Sequence, residues 1–224
     1  MSPILKPSKT MAEKVLAALE GDIISGRYQP GDRMVETEIA ANLGVSRGPV
    51  REALLVLQRR GLIKEKNGNA KGREVASLSK KDLRELYQVR IFIETQCLIH
   101  HALHKREMLA ELGLMVQEMD NLVEIKDIEG YRKANALFHH AIVNGLQNNK
   151  LYEIYKDNDR MLRWFQAVTL YVPRLKKSNE EHKRILGFCR RQDLAGIKTA
   201  INAHQVQALE FLLQKLSPSP GADK

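Results

Sequence analysis

The sequence predicts a mainly α-helical protein in two parts: an N-terminal winged helix-turn-helix with a small β-hairpin, and a C-terminal all-α bundle of about six helices. Two short helices joined by a tight turn occupy 31–60, and two extended segments around a turn occupy 62–76. From 80 to 215 the apolar residues recur with helical spacing. The predicted parts are a first domain at 10–77, a second domain at 79–215 and a disordered tail at 216–224.

Composition limits the class of protein. The chain has 224 residues, of which 43% are hydrophobic and 28% charged, a balance typical of globular domains. No apolar run approaches the ~18 residues of a membrane span, and residues 1–14 lack the apolar core of a signal peptide. Only two cysteines occur, which argues against a disulfide scaffold and indicates a reducing compartment. We therefore expect a cytoplasmic protein that does not contact a membrane.

The charge is positive and concentrated in one segment. The formal net charge is +9, and residues 42–73 contain eight Lys or Arg against two Glu. A solvated basic face would account for this surplus, but its position on a helix-turn-helix pattern favours double-stranded DNA as the partner.

The turn and cap residues of the first domain define two short helices. Thr37 is predicted to cap a helix over 38–43 that Gly44 ends, and Ser46 is predicted to cap the next helix, which runs to about Arg60. This second helix has the position of a recognition helix that enters the major groove.

Arg47 and Arg51 are four residues apart and therefore share one face of the predicted recognition helix. An arginine can pair with guanine O6 and N7 through two hydrogen bonds. Thr37 and Ser46 suit phosphate contacts, and Gly72, next to Lys71, lets the wing backbone approach a groove. The alternative is that these arginines only make a small helical hairpin soluble.

Four segments resemble the winged-helix domain of GntR-type bacterial transcriptional regulators: 28–33, 43–54, 60–63 and 71–75. The resemblance implies that Arg47 and Arg51 read bases and that Gly72 marks the wing tip. Gly48 stands where this family usually has Thr, which removes one hydroxyl contact to DNA. The predicted DNA-binding residues are Thr37, Ser46, Arg47, Gly48, Arg51, Lys71 and Gly72.

In the second domain the apolar pattern divides into predicted helices at 80–105, 107–125, 127–147, 150–171, 175–191 and 193–215, with one break at Pro173. Arg90 lies on the inward stripe of the first of these helices. A buried guanidinium needs a partner, and two readings are open. One is an ion pair with an acid from another helix, and the other is a clamp for the carboxylate of a small effector.

Three histidines and one amide lie on inward stripes of three different helices: Asn135 and His139 share one helix, and His182 and His204 lie on two others. A single inward histidine is usually a satisfied core residue, but this convergence favours a metal site.

The other histidines fall outside that pattern. His140 is predicted to face solvent. His100, His101 and His104 lie near a helix C-terminus, where a favourable interaction with the helix dipole is the simpler role. His100 and His104 remain a weaker alternative metal pair because they are four residues apart.

Segments of the second half are similar to the FCD ligand-binding domain of the FadR subfamily of GntR regulators, in its six-helix, VanR-like branch: 87–94, 135–139, 181–186 and 203–204. The resemblance implies a divalent metal, Zn or Ni, on Asn135, His139, His182 and His204. An Asn ligand supplies only a neutral oxygen, so we expect weaker metal binding than with Asp. The more positive site favours an anionic effector.

The sequence thus predicts a cytoplasmic homodimeric transcriptional regulator, by default a repressor, in which each winged helix reads half of a palindromic operator. A small carboxylate, held by the metal and Arg90, would set operator affinity. A His-rich metal-dependent hydrolase is the alternative, although no HExxH motif and no inward general base are evident. A third class is an architectural DNA binder without sequence preference.

Overall fold

A computed structural model describes residues 10–66, 72–77, 79–167 and 172–215. The chain forms two compact units, Met1–Ser77 and Leu78–Lys224. The described helices are α1 (Met11–Ile24), α2 (Glu36–Leu43), α3 (Arg47–Arg59), α4 (Lys80–His104), α5 (Arg106–Glu124), α6 (Ile128–Asn144), α7 (Asn149–Ala167), α8 (Val172–Arg190) and α9 (Leu194–Lys215), and the strands are β1 (Ile63–Glu65) and β2 (Arg73–Val75). The predicted fold class is therefore confirmed. The predicted tail at 216–224 lies outside the described residues.

Helix α1 begins with a capping box. The Thr10 hydroxyl accepts a hydrogen bond from the Glu13 N–H at 3.2 Å, and the Glu13 carboxylate accepts one from the Thr10 N–H at 2.8 Å. These bonds satisfy donors that a helix N-terminus otherwise leaves without partners. Val15, Leu19 and Ile23 recur every four residues and are buried, so one face of α1 packs against α3.

The helix-turn-helix is formed by α2 and α3, but α2 begins earlier than the sequence predicted. Its first residue is Glu36, so Thr37 lies inside the first turn and does not cap it. An acidic side chain at the first helical position interacts favourably with the helix dipole, which explains the earlier start. Gly44 ends α2 with a φ of +63°. Ser46 is the N-cap residue of α3, as predicted, but its side chain makes no capping hydrogen bond.

The wing is an antiparallel pair of three-residue strands, shorter than predicted. Its register pairs Ile63 with Val75, and Glu65 with Arg73. The other edge of β2 bonds to the segment before α2, where the Met34 N–H donates to the Arg73 carbonyl at 2.8 Å. The wing is thus attached to the start of the helix-turn-helix as well as to the end of α3.

The second unit contains α4 to α9, and each lies within a few residues of its predicted range. Ser79 and Asp82 form a second capping box at the start of α4. The predicted break at Pro173 is wrong, because α8 begins at Val172 and Pro173 lies in its first turn. Proline is tolerated there since the first N–H groups of a helix have no intrahelical acceptor.

Helix α4 is central to the second unit, because it contacts every other helix from α5 to α9. The apolar core around it includes Cys97, Phe138, Ile142, Ile185 and Ile201, all fully buried. None of the described helices is long and apolar enough to cross a membrane. Buried polar residues, among them Arg90, Glu94 and His139, lie among these same helices.

Candidate DNA-reading surface and candidate metal centre

The outer face of α3 carries both predicted base readers. Arg47 and Arg51 are exposed, and 59% of the Arg51 side chain is accessible. Val50 and Leu54, on the opposite side of the helix, are fully buried. The two arginines therefore share one exposed face of α3, as predicted, and the inner face of the helix is apolar.

A cleft of about 560 Å³ opens between the helix-turn-helix and the wing. Thr37, Arg47 and Gly72 line it together with Lys66. The structure thus brings three of the predicted DNA-binding residues to one concave surface.

The remaining predicted contacts lie elsewhere. Ser46 and Gly48 are exposed at the N-terminal end of α3, and a Cβ added at Gly48 would meet no atom within 4 Å. There is consequently room at Gly48 for a larger side chain. Lys71 lies outside the described residues.

Glu36 joins the recognition helix to the wing, and the sequence did not single it out. Its carboxylate accepts hydrogen bonds from Arg51 Nη2 at 3.0 Å and from Arg73 Nη1 at 3.1 Å. Arg73 also donates through Nε to Gln58 at 3.0 Å. The hydrogen bond from Arg51 holds the pKa of Glu36 below its ordinary value, so this carboxylate is charged at neutral pH.

In the second unit, His139, His182 and His204 come from α6, α8 and α9 and are all buried. Each offers a ligand nitrogen, and these nitrogens lie within 4.8 Å of one another. The Nε2 atoms of His182 and His204 are 3.2 Å apart. Two imidazole nitrogens at this distance need a shared hydrogen or a common cation, because facing lone pairs repel. The predicted convergence of the three histidines is therefore present.

Each of these histidines also has an oxygen beside its Nδ1 atom. The acceptors are Glu94 for His139 (3.1 Å), Asn179 for His182 (3.4 Å) and Glu181 for His204 (2.7 Å). An Nδ1–H that donates to an outer oxygen leaves Nε2 as the ligand nitrogen, the arrangement typical of metal-binding histidines.

Asn135 lies one turn before His139 on α6. Its Oδ1 atom is buried and has no hydrogen-bond partner among the described residues. A buried carbonyl oxygen without a donor is costly in a protein interior, and a cation would satisfy it. Three imidazoles and one such oxygen form a donor set that suits a divalent transition metal, and the place of Asn135 in that set stays a prediction.

Glu94 is the centre of a buried polar network that was not predicted from the sequence. One oxygen accepts from Arg90 Nε (2.8 Å) and the Tyr155 hydroxyl (2.6 Å), and the other from His139 Nδ1 and Gln205 Nε2 (2.7 Å). The donors come from α4, α6, α7 and α9. The one sequence signal was the position of Glu94 four residues after Arg90 on the same inward stripe.

Arg90 is buried, as predicted, and the structure gives it an internal partner from another helix. Besides Glu94, it donates through Nη1 to Asp159 of α7 at 3.3 Å. Burial alone would lower the pKa of Arg90, but Tyr155 and these two acids outweigh it and raise the pKa. The ion pair with an acid from another helix is therefore present in the structure, and an effector clamp at Arg90 stays a prediction.

The prediction that His140 faces solvent is wrong. Its side chain is only 15% exposed, and its Nε2 atom lies 2.7 Å from Asp159 Oδ2. Its Nδ1 atom is 3.2 Å from the Tyr152 hydroxyl. The buried face of α6 is wide because α7 packs against its side, and no local sequence pattern indicates that helix contact.

His101 also differs from its prediction. It is fully buried, and its Nε2 atom lies 2.7 Å from the carbonyl oxygen of Ile142. The ring fits beside Gly145, where an added Cβ would lie 3.0 Å from the imidazole. Burial lowers the pKa of His101. The rings of His100 and His104 lie 5.0 Å apart near the end of α4.

The protonation states of His139 and Glu94 suit the binding of a metal ion. Burial lowers the pKa of His139 to about 4, so this imidazole is neutral at physiological pH. Burial opposes the charge on Glu94, but His139 and Arg90 outweigh burial and keep the pKa of this acid below its ordinary range. A neutral imidazole beside a charged acceptor is the state that a metal ion needs.

A winged helix-turn-helix with exposed arginines, joined in one chain to a helical unit with a polar centre, defines a DNA-binding transcriptional regulator. Residues 11–71 match the bacterial regulatory proteins of the gntR family, and residues 85–207 match the FCD domain. The chain therefore belongs to the GntR family and carries an FCD domain, as the sequence resemblance predicted.

Similar proteins agree with this assignment. The Nta operon transcriptional regulator of Aminobacter aminovorans is 30% identical over 195 residues, which cover 84% of this chain and 90% of that protein. The gluconate operon transcriptional repressor of Bacillus subtilis (strain 168) is 28% identical, with 92% and 85% covered. The solved structure of E. coli McbR/YncC has a TM-score of 0.73 at 22% identity, and the match covers 93% of this chain and 99% of that one. The solved structure agrees in fold, and the family and the two operon regulators are transcriptional regulators and not enzymes, which removes the hydrolase alternative.

Proposed function

We propose that this chain is a metabolite-responsive transcriptional repressor that acts as a homodimer in the cytoplasm. Each protomer binds half of a palindromic operator through Arg47 and Arg51. A small carboxylate effector, bound with a divalent metal in the FCD domain, changes the operator affinity. The observation that carries the proposal is the convergence of three buried histidines, each backed by an oxygen, in the same chain as a basic recognition helix.

The proposed metal ligands are Asn135, His139, His182 and His204. Imidazole ligands favour Zn²⁺ and Ni²⁺ over Mg²⁺ or Ca²⁺, which prefer several oxygens. When bound, such an ion supplies a positive, Lewis-acidic position for an anionic ligand. Glu94 and Glu181 orient His139 and His204 towards the centre through their Nδ1 atoms.

Arg90 offers a route by which a carboxylate affects the helices around it. Its bond to Asp159 is longer, at 3.3 Å, than its 2.8 Å bond to Glu94. Asp159 also accepts from His140 at 2.7 Å, and it forms an ion pair with Arg163, whose Nε atom lies 2.8 Å away. An effector carboxylate that replaces Asp159 on Arg90 therefore leaves no buried acid without a partner, and it loosens the contact between α4 and α7.

The DNA half is tested with a labelled fragment from upstream of the chain's own gene. Arg47→Ala and Arg51→Ala should each weaken specific binding about 5-fold or more, since a bidentate guanine contact is worth ~1–3 kcal/mol. Arg59→Ala is the matched control, because Arg59 is exposed at the other end of α3. Equal affinity of all four proteins in a gel-shift assay would contradict base reading.

The sensing half is tested on the same fragment with Ni²⁺ or Zn²⁺ and a panel of carboxylates. Gluconate comes first in the panel because a relative of this chain is named for the gluconate operon. At least one carboxylate should change operator affinity of the wild-type protein, and the response should vanish in His182→Ala. A response that persists in His182→Ala would place the effector site elsewhere.

A further inference from the structure

The contact between Glu36 and Arg51 has a specific orientation. The carboxylate of Glu36 lies along one edge of the guanidinium, 3.2 Å from Nε and 3.0 Å from Nη2. A guanidinium has five N–H groups, and its other edge carries Nη1 and the second hydrogen of Nη2. Among the described residues no acceptor is recorded for that second edge, and the Arg51 side chain is largely exposed.

The second edge is the one that suits a base. Guanine O6 and N7 accept two parallel hydrogen bonds, which the terminal Nη1 and Nη2 atoms of arginine can donate. Arg51 can therefore bind guanine while Glu36 holds its Nε edge. Glu36 itself accepts a hydrogen bond from Arg73 of the wing, and Arg73 donates another to Gln58 of α3.

We infer that Glu36 is a positioning residue for base recognition: it holds Arg51 in the orientation that reads one guanine in each half-site. The inference rests on the proposed role of Arg51 in base reading. An arginine that is already held loses less side-chain freedom on binding, and it cannot swing to a phosphate as easily. The Glu36 carboxylate also has an opposite effect: it weakens DNA binding because its negative charge repels the phosphates.

A simple surface ion pair predicts the opposite result. Exposed pairs contribute little, so removal of the Glu36 charge would only reduce repulsion and strengthen binding to every DNA sequence. Arg47 provides an internal comparison, because no acidic partner is recorded for it among the described residues. If Glu36 positions Arg51, removal of the Glu36 charge lowers the discrimination between bases at the position that Arg51 reads. Discrimination at the position that Arg47 reads stays unchanged.

The test uses a library of duplexes with a randomised 20-base-pair centre, selected on the full-length wild-type protein and on Arg51→Ala, Arg47→Ala and Glu36→Gln. Each arginine variant identifies the position that the arginine reads. In Glu36→Gln, discrimination should fall at least about 5-fold at the Arg51 position and stay unchanged at the Arg47 position. Thermal melting of each variant checks that it is folded.

Three results would count against the inference. A Glu36→Gln motif identical to wild type, with stronger binding to all sequences, overturns it and leaves the proposed function intact. A wild-type motif that Arg51→Ala does not alter also overturns it. A wild-type protein that enriches no motif overturns both the inference and the proposed sequence-specific function.

Discussion

At the scale of single residues, Glu94 connects several helices of the second unit through hydrogen bonds. Four donors from four helices meet on its two oxygens, and its side chain is fully buried. A carboxylate in this setting is stable only because every donor is present, since a buried charge without hydrogen bonds is strongly unfavourable. Any change at this position therefore leaves several donors without an acceptor.

Glu94→Gln should reduce the affinity for Ni²⁺ or Zn²⁺ by about 10- to 100-fold, the usual effect of losing an outer acceptor of a metal-binding histidine. The amide brings an N–H₂ group towards donors, so the His139 ring loses its fixed orientation. Isothermal titration calorimetry measures the change. The matched control is Glu85→Gln, because Glu85 is exposed on the same helix. Unchanged affinity in Glu94→Gln would contradict the role of Glu94 in orienting His139.

His101 should make stability depend on pH. Burial lowers its pKa in the folded chain, and the neighbouring His100 and Lys105 also disfavour its charge. As the pH falls below about 6.5, the unfolded chain binds a proton that the folded chain does not, so stability falls. His101→Gln should therefore show a smaller decrease in Tm between pH 7.5 and 5.5 than the wild type. His104→Gln, an exposed neighbour, should show the wild-type decrease, and an unchanged decrease in His101→Gln would refute the assignment.

At the level of helices and turns, two glycines separate the effect of backbone conformation on stability from the effect of packing. A Cβ added at Gly21 or Gly44 would meet no atom within 4 Å, so packing does not distinguish them. Gly21 lies inside α1, whereas Gly44 has a φ of +63° at the end of α2. Only the backbone conformation differs in a way that matters for alanine.

Gly21→Ala should raise the free energy of unfolding by about 0.5–1 kcal/mol, because alanine is the better helix former. Gly44→Ala should lower it by about 1 kcal/mol or more, because a side chain is disfavoured in the left-handed region. Urea unfolding followed by far-UV circular dichroism measures both. Trp164 fluorescence reports the second unit and should change little. Changes of equal sign in the two variants would exclude this explanation.

The helices were predictable from the sequence because their signals are local. Apolar spacing, Ser79 before α4 and Gly44 after α2 each act within a few residues. The errors arose where one residue type permits two positions. Thr37 suits a cap or a first turn, and Pro173 suits a break or a first turn, so neither residue alone determines where its helix begins.

For the whole molecule, a bound metal should raise thermal stability because the folded chain alone assembles the site. A metal present at about 100 times its Kd adds about 2.7 kcal/mol, which corresponds to a rise of several degrees in Tm. Trp164 fluorescence during heating, with and without Ni²⁺, measures the rise. The rise should disappear in His182→Ala and remain in His104→Gln. A rise that survives His182→Ala would indicate metal binding at another site.

The sequence predicted the histidines of the candidate site but not the acids that hold them. His139, His182 and His204 were identifiable because each lies on the apolar stripe of its own helix. Glu94 and Asp159 are 45 and 19 residues away from the histidines they contact, His139 and His140. Such pairs depend on how helices pack against one another, and no local pattern encodes that packing.

The hydrogen bond between Glu94 and Gln205 joins residues 111 positions apart and has a consequence for biosynthesis. A ribosome adds about 5–20 residues per second, so Gln205, the last donor to Glu94, is synthesised roughly 5–20 s after Glu94. His204 is made one residue earlier, so the three histidines also come together only at that stage. The winged helix is translated before either event, and a newly made protein can therefore possess its DNA-binding domain before the proposed metal site can form.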